Sequence, residues 1–97
     1  MTLNSLEKRG ALQILLHLHR KGKATRTDLR GHVDASMDTI YTALKVLMEL
    51  GLVEEMAMDR FPFSVQVTLT EKGRRVAEHI AEVDKILAGR IIHELRG

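Results

Sequence analysis

Residues 36–53 read SMDTIYTALKVLMELGLV, and the rest of the chain is organised around this stretch. Its apolar residues recur at helical spacing and form one stripe, comprising Ile40, Ala43, Leu44 and Leu47. Ser36 is a good N-cap because its hydroxyl can accept a hydrogen bond from an otherwise unpaired backbone N–H. Gly51 suits the left-handed residue that closes a helix. The pattern predicts a helix over residues 36–50, followed by the start of a strand.

The sequence period changes after this helix and predicts a β-hairpin. Residues 52–58 form the first strand. Residues 63–69 alternate apolar and polar side chains, which is typical of a half-buried strand, and Phe63 is expected in the core. Pro62 cannot donate a ladder hydrogen bond, so it belongs at the tip or on an edge. The tip, residues 59–63, is the predicted wing.

A first helix is predicted over residues 3–20, near the start of the chain. Asn4 and Glu7, three residues apart, resemble a capping box. Gly10 lowers the helix propensity and marks either a close helix contact or the true helix start. Gly22 follows a run of cations and is expected to end the helix.

A short second helix is predicted over residues 26–32, after a brief extended link. Thr25 and Asp28 have the spacing of a capping box at its start. Two short helices joined by a tight turn are the helix-turn-helix signature, and the second of the pair, here residues 36–50, normally enters the DNA major groove. With the hairpin, the order predicts an α+β, mainly α fold: a winged helix-turn-helix with a three-helix core, a two-stranded wing and a long C-terminal helix.

Residues 70–97 begin with Thr70 as a cap and predict one long helix that reaches about Leu95. At 1.5 Å per residue it would be ~37 Å long, which exceeds what so small a domain can cover. Its apolar seam consists of Val76, Ile80, Val83, Leu87, Ile91 and Leu95. We expect the distal half to pair two copies, unless Gly89 ends the helix early. One domain is expected, with a DNA-binding core over residues 1–69 and a dimerisation helix over 70–97.

Composition excludes several classes of protein. The length of 97 residues and the hydrophobic share of 44% are typical of one globular domain. Cysteine is absent, which excludes disulfides and thiolate chemistry and fits a reducing compartment. No apolar run approaches the ~20 residues of a membrane span, so we expect a cytoplasmic protein without membrane contact. No phosphate loop or nucleophile motif is present, so no enzyme is predicted.

Histidines offer only a weak metal signal. His17 and His19 are two residues apart on a helix and therefore face different ways. His79 with Glu82 has i, i+3 spacing, but no fuller acidic and histidine pattern surrounds it. We therefore predict surface histidines and neither a metal site nor a cofactor.

Charge is unevenly distributed along the chain. Residues 1–32 hold seven Lys/Arg against two acids, a balance of +5. Residues 33–69 hold two against six, a balance of −4, and residues 70–97 hold six against five, a balance of +1. A nucleic-acid footprint should be a basic patch on one face. The first third can supply one, whereas the predicted recognition segment is acidic on balance.

Several pieces, in this order after the first helix, resemble the small prokaryotic winged-helix regulators of the MarR, ArsR and PadR type. They are TRTDL (25–29), SMDTIYTAL (36–44), ELGLV (49–53) and LTEKG (69–73). The resemblance covers about residues 6–80 and is nearest to a compact archaeal or bacterial form with one C-terminal dimer helix. It implies a homodimer, a palindromic operator and regulation of transcription. Relatives often carry Arg or Lys where this chain has Thr42 and Val46.

The candidate DNA contacts follow from placing Ile40 and Leu44 inward. Asp38, Thr42, Lys45 and Glu49 then face outward. The full predicted DNA-binding set is Arg26, Arg30, Ser36, Met37, Thr39, Tyr41, Thr42, Lys45 and Arg60. Thr42 and Met37 can meet a thymine methyl, Tyr41 and Thr39 can hydrogen-bond phosphate, and Lys45 can reach guanine or the backbone. Arg26 and Arg30 lie on the helix that commonly crosses the phosphate backbone, and Arg60 at the hairpin tip can enter the minor groove. A solvated polar face is the alternative for each.

Two other interpretations remain open at this stage. The acidic recognition segment and the apolar last helix also fit a winged helix that serves as a protein-interaction module in a transcription or chromosome assembly. A ligand-responsive regulator is compatible with DNA binding, because a junction between the first and last helices can hold a small apolar effector. Nothing in the sequence identifies that effector.

Overall fold

The computed structural model describes residues 2–61 and 64–89 of the chain. A 3-10 helix, Thr2–Glu7, comes first. The remaining elements are α1 (Ala11–Lys21), β1 (Lys23–Thr25), α2 (Arg26–His32), α3 (Met37–Glu49), β2 (Val53–Ala57), β3 (Val65–Leu69) and α4 (Glu71–Leu87). This order confirms the predicted mainly helical winged helix-turn-helix. The strands are one or two residues shorter than predicted at their ends.

The predicted first helix is two elements rather than one. Gly10 has φ of 89°, a left-handed conformation that ends the N-terminal segment, and α1 begins directly after it. Gly10 therefore marks the true helix start, and the single helix over residues 3–20 was wrong. Asn4 and Glu7 lie within the 3-10 helix, so they do not cap α1.

Predicted helix caps are present at α2 and α3. Thr25 Oγ1 accepts from the Asp28 N–H and an Asp28 carboxylate oxygen accepts from the Thr25 N–H, both at 3.0 Å. The hydrogen bonds from the Thr25 backbone and then its hydroxyl lower the pKa of the Asp28 carboxyl. Ser36 Oγ accepts from the Thr39 N–H at 3.3 Å and caps α3. Gly51, with φ of 75°, closes the other end of α3 as predicted.

The three strands form one antiparallel sheet with the order β1-β3-β2. In the hairpin, Val53 pairs with Leu69 and Ala57 pairs with Val65. The predicted extended link before α2 is in fact β1, and it pairs with the other edge of β3. Ala24 opposes Val67 there, and both side chains are buried. The hairpin of β2 and β3 is therefore joined to the core through a third strand, β1, which was not predicted from the sequence.

An aliphatic core holds the helices and the sheet together. All four residues of the α3 stripe are buried, as predicted: Ile40, Ala43, Leu44 and Leu47. The largest fully buried side chains are Ile14, Leu15, Leu18, Leu29, Ile40, Leu44, Leu47 and Val67. Phe63, also predicted to be in the core, lies outside the described residues.

The start of α4 packs directly on the segment that follows α3. Thr70 Oγ1 donates to the Gly51 carbonyl at 2.6 Å, and the Thr70 N–H donates to the Leu52 carbonyl at 3.0 Å. Thr70 Oγ1 also accepts from the Gly73 N–H at 2.9 Å, which makes it the predicted cap. Gly73 is buried against the Leu52 backbone, and a side chain would not fit there. The ELGLV (49–53) and LTEKG (69–73) pieces of the sequence resemblance therefore contact each other.

Helix α4 is shorter than the sequence analysis predicted. It ends at Leu87, with Ala88 as its cap and Gly89 in the left-handed conformation at φ of 71°. A continuous helix to Leu95 was therefore wrong, because Gly89 ends it. In the described ranges, no helix combines the length and apolar content that crossing a membrane requires.

Candidate nucleic-acid interface

The outer face of α3 is open to solvent. Asp38, Thr42, Lys45 and Glu49 are exposed along it, while Ile40 on the opposite side is fully buried. The predicted orientation of the helix is therefore confirmed. DNA contact by these residues stays a prediction.

The hydroxyl groups near the start of α3 are held by hydrogen bonds within the helix. Ser36 Oγ donates to Thr39 Oγ1 at 2.9 Å while it caps the helix. Thr42 Oγ1 donates to the Asp38 carbonyl at 3.0 Å. Each of these oxygens can still accept a hydrogen bond, and the Thr42 methyl group is available for apolar contact.

Arg26, predicted as a DNA contact, forms an ion pair with the sheet in the free protein. Its Nε and Nη2 donate to the two carboxylate oxygens of Glu55 at 2.9 and 2.8 Å. The Glu55 side chain is only 15% exposed and that of Arg26 is 36% exposed. Hydrogen bonding to Glu55 raises the pKa of the Arg26 guanidinium. The charge of Arg26 is thus balanced by the Glu55 carboxylate on β2. Arg26 therefore orients α2 against the hairpin and is not a free cation.

Tyr41 extends this contact to α3. The Arg26 guanidinium carbon lies 5.0 Å from the centroid of the Tyr41 ring, within cation–π range. Tyr41 remains 43% exposed, so it is available to a partner as predicted. Met37 is half-buried and packs against the core, and its DNA contact stays a prediction. A thymine contact by Met37 would use only its exposed portion.

Basic residues from the N-terminal segment flank the start of α3. Lys8 and Arg9 line a cleft beside Thr39 and Thr42. Arg9 also lines a second cleft with Arg30 next to Thr39. Lys8 and Arg9 were not among the predicted DNA contacts, although the +5 balance of residues 1–32 indicated a basic patch in this part of the chain. The acidic recognition segment is therefore bordered by three cations from other elements and by the acid Glu7, which lines the first cleft.

Arg30 and Arg60 are both exposed, as their predicted roles require. Arg30 lies on α2, close to the N-terminal end of α3. Arg60 lies in the turn after β2, next to Phe61, which is 87% exposed. Pro62 and Phe63, which also belong to the predicted tip, lie outside the described residues.

The predicted dimerisation seam of α4 divides into parts with different surroundings. Val76 and Ile80 are half-buried and pack against the core of their own domain. Val83 is 54% exposed, Leu87 is 81% exposed, and the neighbouring Ile86 is 52% exposed. The last two members of the seam lie outside the described residues: Ile91 and Leu95. Within the described part of α4, the large exposed apolar side chains therefore lie at its distal end.

Within residues 2–61 and 64–89, no group of three or more His, Asp or Glu side chains is spaced to hold a metal ion. His19 is exposed, and the two side chains face different ways as predicted. The prediction of surface histidines was wrong for His17, which is buried because it lies on the core side of α1. His79 and Glu82 are both exposed on α4.

An apolar cavity of about 260 Å³ lies between the 3-10 helix, the end of α3 and α4. Its walls are Thr2, Leu3, Leu6, Leu50, Leu52, Lys72 and Val76. Lys72 Nζ donates to the Leu50 carbonyl at 2.8 Å and supplies the cationic group of an otherwise mostly apolar lining.

Solved structures of transcription regulators share this fold. A transcriptional regulator, ytfH, from Salmonella typhimurium has a TM-score of 0.80 and 23% identity over 97% of this chain and 84% of that chain. A MarR-family regulator from Enterococcus faecalis V583 has a TM-score of 0.78 and 18% identity over 99% of this chain and 87% of that chain. A transcriptional regulator homologue from Pyrococcus horikoshii OT3 has a TM-score of 0.74 and 19% identity over 91% of this chain and 88% of that chain.

Sequence comparison identifies the family. No curated protein sequence matches the chain. The profile of the HxlR-like helix-turn-helix family matches residues 5–94, which is most of the chain. The predicted resemblance to small winged-helix regulators is confirmed, and these relatives are regulators rather than enzymes. The chain belongs to the HxlR-like helix-turn-helix family.

Proposed function

We propose that this protein is a cytoplasmic transcription regulator that binds specific sequences of duplex DNA as a homodimer. Helix α3 would enter the major groove, and the wing around Arg60 would lie on the backbone or in the minor groove. The observation that carries the proposal is the solvent-exposed outer face of α3, bordered at its start by Lys8, Arg9 and Arg30.

The charged residues on α3 and those that flank it would have different roles in DNA binding. Lys45 is the only base on α3, and Asp38 and Glu49 share its exposed face. Phosphate neutralisation would therefore come mainly from flanking cations such as Arg9 and Arg30, which fix the position of the protein on the duplex. Base edges would be read by α3 itself, where the Asp38 and Glu49 carboxylates disfavour non-specific binding.

Dimerisation would use the exposed distal end of α4. Val83, Ile86 and Leu87 form an apolar surface that the described residues leave open to solvent. Pairing two copies through this surface would bury it and set the two α3 helices about one DNA turn, ~34 Å, apart. A palindromic operator with that half-site spacing is the expected target.

The DNA face is tested by selecting a duplex sequence and then measuring its affinity over a range of salt concentrations. Lys45→Ala and Arg9→Ala should weaken binding to all sequences and reduce the salt slope by about one each. Thr42→Ala should change the sequence preference instead. Arg75→Ala is the matched control, because it removes an exposed charge from α4. Wild-type binding by both charge variants would reject this face.

The dimer is tested separately by the solution mass at micromolar concentration. The wild type should have the mass of two chains, and Leu87→Glu should shift it toward one chain, because it adds a charge to the apolar surface. A single-chain mass for the wild type would reject the dimer and leave the DNA face to its own test.

The exposed acids of α3 favour a second candidate function. Asp38 and Glu49 suit a basic protein surface better than phosphate. In that case the winged helix would act as a protein-interaction module. Absence of binding to random duplex DNA at low salt, together with a stable protein partner, would favour the module over the regulator.

The cavity lined by Leu3, Leu6 and Leu52 is our proposed position for a small apolar effector. It adjoins α4, so occupation would bias the helix that carries the dimer surface. A solved structure with the same fold is described as NadR in complex with 4-hydroxyphenylacetate. An aromatic carboxylate is therefore a suitable probe, and Lys72 would supply its counter-charge. Leu6→Arg should block the response of the melting temperature to that probe.

A further inference from the structure

A second cavity, distinct from the apolar one, lies between α1 and the end of α2. Its volume is about 420 Å³. It is lined by Gln13, Leu16, His17, Arg20, Lys21 and His32. Four of these six side chains are basic and none is acidic. The surface of the cavity is therefore dominated by hydrogen-bond donors and positive charge.

Two histidines stack on each other in the wall of this cavity. The ring centroids of His17 and His32 are 4.5 Å apart with an interplanar angle of 26°. His32 Nδ1 lies 2.8 Å from the Asp28 carbonyl and donates to it, which leaves His32 Nε2 free of that bond. His17 is only 7% exposed, and neither of its ring nitrogens is both fully buried and unpartnered. The ring of His17 nevertheless lines the cavity.

The basic groups that line this cavity repel one another when they are charged. Burial first, and then the charges of His32, Arg20 and Lys21, lower the pKa of His17, while Asp28 raises it. The Asp28 carboxylate is already engaged with the Thr25 N–H at the far end of α2. An anion in the cavity would compensate charges that no lining residue balances.

Gln13 adds a neutral donor with a fixed orientation. Its side-chain oxygen accepts from the Asp34 N–H at 2.9 Å. The amide NH₂ of the same side chain is therefore directed away from that bond and can donate to a ligand. Leu16 provides an apolar wall beside these polar groups.

We propose that this cavity binds a small oxyanion, of the phosphate or carboxylate type, between Arg20, His17 and His32. Arginine forms short, strong hydrogen bonds to such oxygens, and a nearby anion favours the protonated form of an imidazole, in which both ring nitrogens donate. The cavity lies within the size range of small-molecule sites, so the anionic group can belong to a small metabolite. This inference concerns a ligand site and does not depend on the proposed DNA face.

Occupation of the site would also act on the recognition helix. A bound anion would join the end of α2 to α1 on the side where Gln13 holds the backbone of Asp34. Asp34 belongs to the turn that leads into Ser36 and α3. The ligand would therefore stabilise the turn that fixes where α3 begins.

The experiment titrates the 97-residue chain with inorganic phosphate and, separately, with citrate, against sodium chloride at matched ionic strength. The readouts are the melting temperature and the imidazole NMR signals of the histidines. We expect a saturable rise in melting temperature with either oxyanion and shifts of the His17 and His32 signals, but not of His19. Loss of a charged hydrogen bond in Arg20→Gln or His32→Gln should weaken binding about tenfold.

His19→Gln is the matched control, because His19 is exposed on the same helix and does not line the cavity. Arg20 and His32 are exposed as well, so their variants should fold normally, which circular dichroism verifies. Equal effects of oxyanions and chloride, or equal responses in all three variants, would overturn the proposal. So would a loss of DNA affinity in Arg20→Gln and His32→Gln without any response to small anions, since the cations would then belong to the DNA footprint.

Discussion

Gly73→Ala should destabilise the protein, although alanine is the better helix former. Gly73 lies in the first turn of α4 against the backbone of Leu52. A Cβ atom there would overlap the Leu52 carbonyl oxygen and lie 2.8 Å from its carbonyl carbon and 3.2 Å from its Cα. These are backbone atoms that cannot rotate away. The start of α4 must therefore move relative to the end of α3.

The size of the effect follows from three contributions to the free energy of unfolding. Overpacking of a well-filled site costs about 1–3 kcal/mol. Displacement of α4 also weakens the 3.0 Å hydrogen bond from Thr70 to Leu52, which contributes about 1 kcal/mol. Alanine returns about 1 kcal/mol of helix propensity. The net loss should be about 2 kcal/mol, or a fall in melting temperature of roughly 8–16 °C.

Urea unfolding followed by circular dichroism measures this loss. All variants should be compared at one protein concentration, because the stability of a dimer depends on it. Gly31→Ala is the matched control: Gly31 lies in α2, and an added Cβ would meet no atom within 4 Å. It should leave the protein as stable or raise its stability by up to about 1 kcal/mol. The reasoning is refuted if Gly73→Ala unfolds at the same urea concentration as the wild type, or if both glycines respond alike.

Three further predictions concern charges and caps. A double-mutant cycle with Arg26→Ala and Glu55→Gln, measured by urea unfolding, should give a coupling free energy of about 1 kcal/mol, because the ion pair is bidentate but partly exposed. Additive effects of the two substitutions would contradict the ion pair. Burial lowers the pKa of His17 from its ordinary 6.5, so the unfolded state binds more protons than the folded state below that pH. The free energy of unfolding should therefore fall as the pH drops below about 6.5. His17→Gln should make the free energy of unfolding less dependent on pH. Thr25→Ala should cost about 1 kcal/mol by removing the cap of α2, while Thr27→Ala, at an exposed position of the same helix, should cost much less.

Features that depend on neighbouring residues were predictable from the sequence. The capping box needs only Thr25 and Asp28, three positions apart, and the cap of α3 needs only Ser36 and the backbone ahead of it. The α3 stripe follows from the helical period alone, because one side of an amphipathic helix must be buried. These local signals also oriented the exposed face of α3 correctly.

Features that join distant parts of the chain were not predictable in the same way. Arg26 and Glu55 are 29 positions apart, and the sequence around either residue does not indicate that the two form a pair. The pairing of β1 with β3 and the approach of Arg9 to α3 likewise depend on how the elements pack. Gly10 and Gly89 were recognised as possible breaks, but glycine tolerates both helical and left-handed backbone, so only the structure decides between them.

Tyr41 is the only tyrosine of the chain, and tryptophan is absent. Its ring lies on α3 beside the Arg26 guanidinium and is partly open to solvent. The ultraviolet emission of the protein therefore comes almost entirely from one side chain at the proposed interface. Any molecule that covers this ring or displaces the neighbouring arginine should change that emission, so the unlabelled protein carries its own fluorescent reporter of docking.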